Sequence, residues 1–251
     1  MERFSVLELG SYHTASPLFR YVARGDGHPV LVLPGFAGSD FSTRPLRGML
    51  RLRGHDTHGW RLGRNDGPHP RIMRGMEERL VELHERTGQL VSLVGWSLGG
   101  MYARELAYDR PELVRQVITL VSPFRFRDGD RGNASSLYDW IGPAEDPFPG
   151  RVVPEHASPA LTVPVTSIYT RTDGIVRWHS CIERTGPRTE NIEVRGTHSG
   201  LGCNMAATIA VADRLAQPAG TWRPFAVPPL LKALFPAPAS WDEPDTRRQP
   251  A

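Results

Sequence analysis

The sequence has little cysteine and little lysine, and both shortages exclude classes of protein. Two cysteines, Cys181 and Cys203, occur among 251 residues, which is too few for a disulfide scaffold, and no cysteine–histidine spacing is typical of a zinc site. Lys232 is the single lysine among 30 basic residues, and 27 acidic residues leave a net charge of +3. Because the arginines are scattered rather than clustered, we expect no nucleic-acid partner.

Long apolar runs are also missing. A membrane-spanning helix needs roughly 18 consecutive apolar residues, and the most apolar stretch of the tail, residues 226–239, is interrupted by Lys232 and several prolines. Residues 1–8 lack the basic segment and apolar run of a secretory signal, which predicts a cytoplasmic protein without a transmembrane segment. Apolar residues make up 39% of the chain and charged residues 23%, a composition typical of a folded globular protein.

The chain does contain a regular alternation of strand and helix patterns. Its 25 glycines and 23 prolines separate short elements, which disfavours an all-helical bundle. The predicted strands are 30–33, 57–62, 89–94, 114–121, 163–170 and 191–195, and the predicted helices are 44–53, 77–86, 98–109 and 205–215. This alternation predicts a parallel sheet covered on both faces, in which ligands bind beyond the carboxyl ends of the strands.

The most informative motif follows the third predicted strand. Gly-Trp-Ser-Leu-Gly at residues 95–99 is a GxSxG pattern between a strand and a helix. In this context the serine lies at a strained turn that lifts its hydroxyl above the sheet edge, and the glycines let strand and helix approach closely. Ser97 is therefore predicted to be a nucleophile, the alternative being an ordinary helix N-cap.

With this motif the sequence resembles the α/β-hydrolase superfamily, particularly its small lipases and esterases, over about residues 28–216. The resemblance implies one α/β-hydrolase domain with a mostly parallel sheet of about six strands, helices on both faces, a small cap insertion at 124–159 and a tail at 217–251. Leu-Pro-Gly-Phe-Ala-Gly at residues 33–38 matches the Pro-Gly form of the family's oxyanion loop. The backbone N–H groups of Phe36 and Leu98 would then form the oxyanion hole.

A serine nucleophile needs a histidine base and an orienting carboxylate. Of nine histidines, His198 lies just after a late strand, where the family places its base. Asp173, followed by Gly-Ile-Val, matches the family's acid, and the order Ser97, Asp173, His198 is that of the α/β-hydrolases. The alternative for Asp173 is a simple turn residue. The less favoured carboxylates lie in the insertion and are Asp128, Asp130, Asp139 and Asp146.

Substrate contacts are expected from the neighbours of the nucleophile and the oxyanion loop. Phe36, Trp96 and Leu98 would lie beside the reacting carbonyl. Aromatic residues of the insertion are candidates to line an acyl pocket, with packing on one another as the alternative; they include Phe124, Tyr138 and Trp140.

These residues predict a serine esterase or lipase-like enzyme that acts through an acyl-enzyme on a small-molecule or lipid-like acyl ester. The prediction requires no metal and no organic cofactor, and we expect a monomer or small homo-oligomer. An acyltransferase with the same three residues, or a thioester, lactone or amide hydrolase, is the alternative.

Three features remain outside this prediction. Gly-Trp-Arg-Leu-Gly-Arg-Asn at residues 59–65 predicts a structural turn with arginine ion pairs. Cys181 and Cys203 flank the strand before His198, and both a disulfide and buried thiols are compatible with their positions. The apolar tail at 222–236 is expected to pack on the core, with lipid contact as the alternative.

Overall fold

The structure, a computed structural model, describes residues 16–125 and 160–242. Within these ranges six strands form one sheet in the order β2-β1-β3-β4-β5-β6, and every neighbouring pair is parallel. The strands are β1 (Pro29–Leu33), β2 (Asp56–Gly59), β3 (Val91–Trp96), β4 (Val114–Leu120), β5 (Val165–Tyr169) and β6 (Thr189–Glu193). The predicted parallel sheet of about six strands is confirmed.

The α-helices of the described chain are α1 (Arg44–Arg51), α2 (Pro70–Thr87), α3 (Leu98–Asp109) and α4 (Met205–Leu215). Both α3 and α4 have the predicted bounds. Helix α2 starts earlier than the predicted residue 77, because Pro70 is favourable at a first helical position and Ile72 continues the buried face. It ends where Gly88 adopts a φ of 65°.

The bounds of every predicted strand differ from the structure by one to three residues at one or both ends, and β3 begins and ends two residues after the predicted 89–94. Strand β6 begins and ends two residues before the predicted 191–195. Strand β2 ends at Gly59 rather than at residue 62, because the next two backbone N–H groups, of Trp60 and Arg61, donate to the Asp40 carboxylate. These N–H groups therefore point to Asp40 and not to a neighbouring strand. Arg61 also adopts a φ of 63°.

Alternate residues of the strands enter apolar clusters on opposite faces of the sheet. Val30 and Val32 of β1 pack with residues of α1 and α4, whereas Leu31 and Leu33 pack with residues of α2 and α3. Both faces are therefore buried, as expected for a parallel sheet. Because ligands of such sheets bind beyond the carboxyl ends of the strands, a functional site is expected there.

Part of the predicted tail at 217–251 packs on the apolar cluster that contains Val30 and Val32. Leu231 and Phe235 are buried there, and the ring centroid of Phe225 lies 5.1 Å from that of Phe235. Leu230, in contrast, is 80% exposed. Among residues 16–125 and 160–242, no helix is both long and apolar enough to cross a bilayer. Of the predicted cap insertion, only Phe124 and Arg125 belong to the described part of the chain.

Stability is expected to fall when the pH drops below about 6.5. Burial lowers the pKa of His28, His55 and His58 in the folded protein, so these side chains bind protons more readily in the unfolded chain. The unfolded state thus gains protons first as the solution is acidified, and the free energy of unfolding decreases. Urea unfolding at pH 7.5, 6.5 and 5.5 would measure this, and a constant or rising stability would contradict it.

Candidate active site

Ser97 lies in the turn between β3 and α3, as the sequence predicts. Its backbone has φ 51° and ψ −120°, a conformation that non-glycine residues rarely adopt and that costs on the order of 1–3 kcal/mol. The Ser97 N–H donates to the carbonyl of Leu120 at 2.8 Å, which ties the turn to the end of β4. The sheet therefore holds the strained turn and places the hydroxyl at the carboxyl end of β3.

Glycines let the strand and the helix approach at this turn. A Cβ atom on Gly95 would lie 2.2 Å from the carbonyl oxygen of Gly99, and one on Gly99 would lie 2.3 Å from the carbonyl oxygen of Leu33. Because both distances are far below van der Waals contact, neither position accepts a side chain without movement of the backbone. The glycines of the GxSxG pattern are thus required by packing around Ser97.

Gly95→Ala is expected to destabilise the fold by about 1–3 kcal/mol or more, as overpacking in a core does. The matched control is Gly48→Ala in α1, where a Cβ would meet no atom within 4 Å. Since alanine is the better helix former, this control should stabilise the protein by roughly 0.5–1 kcal/mol. Thermal unfolding of both variants measures the difference, and equal melting temperatures would contradict the packing argument.

The structure brings together the three side chains that the sequence singles out. His198 follows β6, and its Nε2 atom lies 3.0 Å from Ser97 Oγ, while its Nδ1 atom lies 2.7 Å from Asp173 Oδ2. An ionised carboxylate only accepts hydrogen bonds, so Nδ1 carries the proton and Nε2 accepts from the serine hydroxyl. The result is a continuous series of hydrogen bonds from the buried Asp173 carboxylate, through His198, to the Ser97 hydroxyl at the carboxyl end of β3.

Asp173 is held in place by the turn that follows it. Its Oδ1 atom accepts hydrogen bonds from the backbone N–H groups of Ile175 and Val176, both at 2.8 Å. These bonds orient the carboxylate so that its second oxygen faces His198. The Asp173 side chain is fully buried and that of His198 is 7% exposed, so the hydrogen bond between them is largely shielded from solvent.

Trp96 has a contact that the sequence did not reveal. Its indole Nε1 donates to the backbone carbonyl of His198 at 3.1 Å. Its ring packs so closely on Gly202 that a Cβ atom on this glycine would lie 2.8 Å from the ring. The residue before Ser97 therefore holds the loop that carries His198. Contact of the half-buried Trp96 ring with a substrate remains a prediction.

The predicted oxyanion loop lies against the serine. A Cβ on Gly35 would be 3.2 Å from Ser97 Cβ and 3.9 Å from its Oγ, so the loop passes directly beside the hydroxyl. Phe36 is half-buried in this loop, and Leu98 is the buried first residue of α3. Both residues thus flank Ser97.

Of the three insertion aromatics predicted to line an acyl pocket, the structure describes Phe124. The Phe124 ring centroid lies 4.0 Å from the guanidinium carbon of Arg104, which itself pairs with Glu183. Tyr138 and Trp140 fall outside the described residues, as do the four less favoured carboxylates of the insertion. A role of these aromatics in binding a substrate therefore remains a prediction.

A second serine–histidine–aspartate arrangement lies at the opposite, amino end of the strands. His28 Nε2 lies 2.8 Å from Ser92 Oγ, and His28 Nδ1 contacts the Asp26 carboxylate. Ser92 lies inside β3 and is fully buried, without the sharp turn and helix N-terminus that follow Ser97. A substrate has no access to this hydroxyl, so we interpret the arrangement as structural.

The described part of the chain contains neither a disulfide nor a candidate metal site. No disulfide joins Cys181 and Cys203, whose thiols are buried and half-buried. Among residues 16–125 and 160–242, no three histidine, cysteine, aspartate or glutamate side chains are grouped in a way that would hold a metal ion.

Comparisons with known proteins agree with this architecture. No family model matches the chain. A pimeloyl-[acyl-carrier protein] methyl ester esterase of Legionella pneumophila (strain Lens) is 34% identical over 76 residues. This match spans 30% of the chain and 28% of the esterase.

Solved structures are similar over most of the chain. The pyrethroid hydrolase PytH has a TM-score of 0.52 and 16% identity, covering 78% of this chain and 100% of its own. Lipase B of Aspergillus fumigatus has a TM-score of 0.55 and 18% identity, covering 77% and 53% respectively. With the parallel sheet and the serine turn between β3 and α3, these likenesses show that the chain has the fold of the α/β-hydrolase superfamily.

Proposed function

We propose that the chain is a serine hydrolase that cleaves carboxylic esters. The observation that carries the proposal is the pair of hydrogen-bond distances, 3.0 Å from Ser97 Oγ to His198 Nε2 and 2.7 Å from His198 Nδ1 to Asp173 Oδ2. Both distances lie within the range that such a mechanism needs between a nucleophile, its general base and the group that orients the base. The esterase, hydrolase and lipase names of the similar proteins support the same chemistry.

In the first half of the reaction, His198 Nε2 takes the proton of the Ser97 hydroxyl while Oγ attacks the ester carbonyl carbon. The carbonyl π bond opens to an oxyanion, and the tetrahedral intermediate collapses with loss of the alkoxide. His198 returns the proton to this leaving group, which departs as the alcohol. Asp173 holds the imidazole and stabilises its charged form throughout.

In the second half, a water molecule gives its proton to His198 and attacks the acyl group on Ser97. Collapse of the second intermediate releases the carboxylic acid, and the proton returns to Ser97 Oγ. The oxyanion of both intermediates would be bound by the backbone N–H groups of Phe36 and Leu98, each worth about 3 kcal/mol of barrier lowering. Pre-organisation of these donors is supported by the close packing of the loop on Ser97.

The substrate class we propose is a short- or medium-chain acyl ester. Phe36, Trp96 and Leu98 give the surroundings of Ser97 an apolar character, which suits an acyl chain more than a charged group. The named activity of the Legionella protein adds acyl methyl esters to the compounds worth testing.

Hydrolysis of p-nitrophenyl esters from acetyl to palmitoyl tests the proposal. We expect turnover with an optimum at short or medium chain length, and release of the free acid even when a competing alcohol is present. Transfer of the acyl group to the alcohol in preference to water would favour an acyltransferase. Inactivity on all esters, with cleavage of a thioester, lactone or amide, would replace the ester assignment.

A further inference from the structure

Asn65 lies at the end of the Gly59–Asn65 segment and is fully buried beside the predicted oxyanion loop. Its backbone N–H donates to the carbonyl of Gly38, and its own carbonyl accepts from the N–H of Ala37, both at 2.7 Å. Its side-chain Nδ2 donates to the carbonyl of Pro34 at 2.9 Å. One residue therefore holds the loop at three points between residues 34 and 38.

These points surround the Phe36 amide. The Phe36 N–H belongs to the peptide unit that joins Gly35 to Phe36, and the carbonyl of that unit accepts from Gly38 N–H at 3.0 Å. Asn65 binds the peptide unit before it, through Pro34, and the one after it, through Ala37. Because each peptide unit is planar, fixing the units on both sides fixes the direction of the Phe36 N–H.

The loop needs such support because its own backbone preferences oppose its shape. Ala37 adopts a φ of 59°, in the left-handed region that disfavours residues with a Cβ. The hydrogen bond from Ala37 N–H to Asn65 is formed at this strained residue. Removal of the Asn65 side chain would keep the two backbone bonds but release the Pro34 carbonyl and the anchoring of residue 65 to Tyr102, so the loop would relax and the Phe36 N–H would change direction.

Tyr102 connects this support to the helix that follows Ser97. Its hydroxyl donates to Asn65 Oδ1 at 3.1 Å, and the N–H of Gly67 donates to the same oxygen at 3.3 Å. Burial raises the pKa of Tyr102 far above its usual value, so its hydroxyl stays protonated and remains a donor. Tyr102 belongs to α3, whose first residue is Leu98, so both predicted oxyanion donors are mechanically linked through Asn65.

The hydrogen bonds also explain why an asparagine stands here. The side chain must donate at one atom and accept twice at the other, with no charge in a fully buried position. Of the side chains of this size, only the neutral amide does both, since a carboxylate has no donor and leucine has neither.

We propose that Asn65 is a positioning residue for ester hydrolysis, which holds the Phe36 N–H where the oxyanion forms, with Tyr102 setting the place of Asn65 relative to α3. The inference rests on the proposed function and adds a requirement to it. It predicts a loss in kcat rather than in KM, because the oxyanion exists only in the transition state and the intermediates.

The test compares Asn65→Ala with the parent protein on a p-nitrophenyl ester and on its thionoester, in which sulfur replaces the carbonyl oxygen. Sulfur is larger and accepts hydrogen bonds poorly, so well-placed oxyanion donors favour the oxygen ester. We expect kcat for the ester to fall about 10- to 100-fold, somewhat less than the loss of a whole donor. The ratio of ester to thionoester kcat/KM should fall by about tenfold as well, a change that a purely structural role would not produce.

Asn191→Ala is the matched control. The Asn191 side chain binds both backbone groups of Glu183, at 2.7 and 2.8 Å, in the middle of β6 and outside the serine site. This variant is expected to lose stability but to keep kcat and the ester-to-thionoester ratio. If Asn65→Ala does not fold, Tyr102→Phe serves instead, since it keeps the ring and adds no charge while it removes the hydroxyl that donates to Asn65 Oδ1.

The outcomes separate this inference from the proposed function. An active parent protein whose Asn65 variant keeps both kcat and the ester-to-thionoester ratio would overturn the role of Asn65 alone. A fall in kcat with an unchanged ratio would also overturn it, because the loss would then lie outside the oxyanion site. A parent protein that cleaves no ester would overturn both.

Discussion

Ser97→Ala is expected to lower kcat for ester hydrolysis by about 10⁶-fold, the size of effect seen when a serine hydrolase loses its nucleophile. The substitution removes the single atom that lies 3.0 Å from His198 Nε2. Alanine keeps the Cβ, so the strained backbone at φ 51° is neither relieved nor worsened and the variant should fold like the parent protein. Steady-state hydrolysis of the best p-nitrophenyl ester and the melting temperature measure the two expectations.

Ser92→Ala is a demanding control because it also removes a serine that contacts a histidine–aspartate pair. A fluorophosphonate probe, which reacts with activated serines, should label the parent protein and Ser92→Ala but not Ser97→Ala. Ser92 is fully buried, so its hydroxyl should never react. Labelling of Ser97→Ala, or its retention of more than a few per cent of the parent activity, would show that another residue is the nucleophile.

The sequence was sufficient to predict the parts of the site that depend on local patterns. Ser97 follows a buried strand and precedes a helix, and this context alone specifies a sharp turn that needs glycines. His198 and Asp173 come after β6 and β5, and the carboxyl ends of parallel strands meet at one edge of the sheet. Proximity of the three side chains therefore follows from the order of strands and helices along the chain.

What the sequence did not reveal depends on contacts between distant segments. Strand β2 ends early because Asp40, from another loop, binds the amides of Trp60 and Arg61. Asn65 contacts Pro34 and Tyr102, which are 31 and 37 residues away, and no spacing rule relates these positions. Such side-chain bonds to irregular backbone are set by the packed fold, so they become visible only when the fold is known.

The distinction between the two serine–histidine–aspartate arrangements also required the fold. His28 precedes β1, and Ser92 lies 64 residues later in β3, with no motif to connect them. Parallel pairing of β1 with β3 brings the two together at the amino end of the strands. Hydrogen-bond geometry therefore does not by itself identify a nucleophile; the strained turn between β3 and α3, its glycines and the neighbouring predicted oxyanion loop distinguish Ser97.

Asp173→Asn is expected to lower kcat by about 10⁴-fold with little change in KM or stability. The reason lies in the turn after Asp173, where two backbone N–H groups donate to Oδ1. In the variant these donors would select the amide oxygen, which turns the amide NH₂ group toward His198 Nδ1. Because that group can only donate, Nδ1 would have to accept, and the imidazole proton would move to Nε2.

With a proton on Nε2, His198 cannot take the proton of Ser97, so the nucleophile stays unactivated while the geometry is preserved. Asp213→Asn, which changes an acid on α4 that contacts Arg214, controls for the loss of one negative charge and should leave kcat within a factor of about two. Kinetics on the same ester and thermal unfolding distinguish the cases. A loss of less than tenfold for Asp173→Asn would show that another group orients His198, whereas an equal loss for Asp213→Asn would show that the missing negative charge, and not the tautomer of His198, lowers kcat.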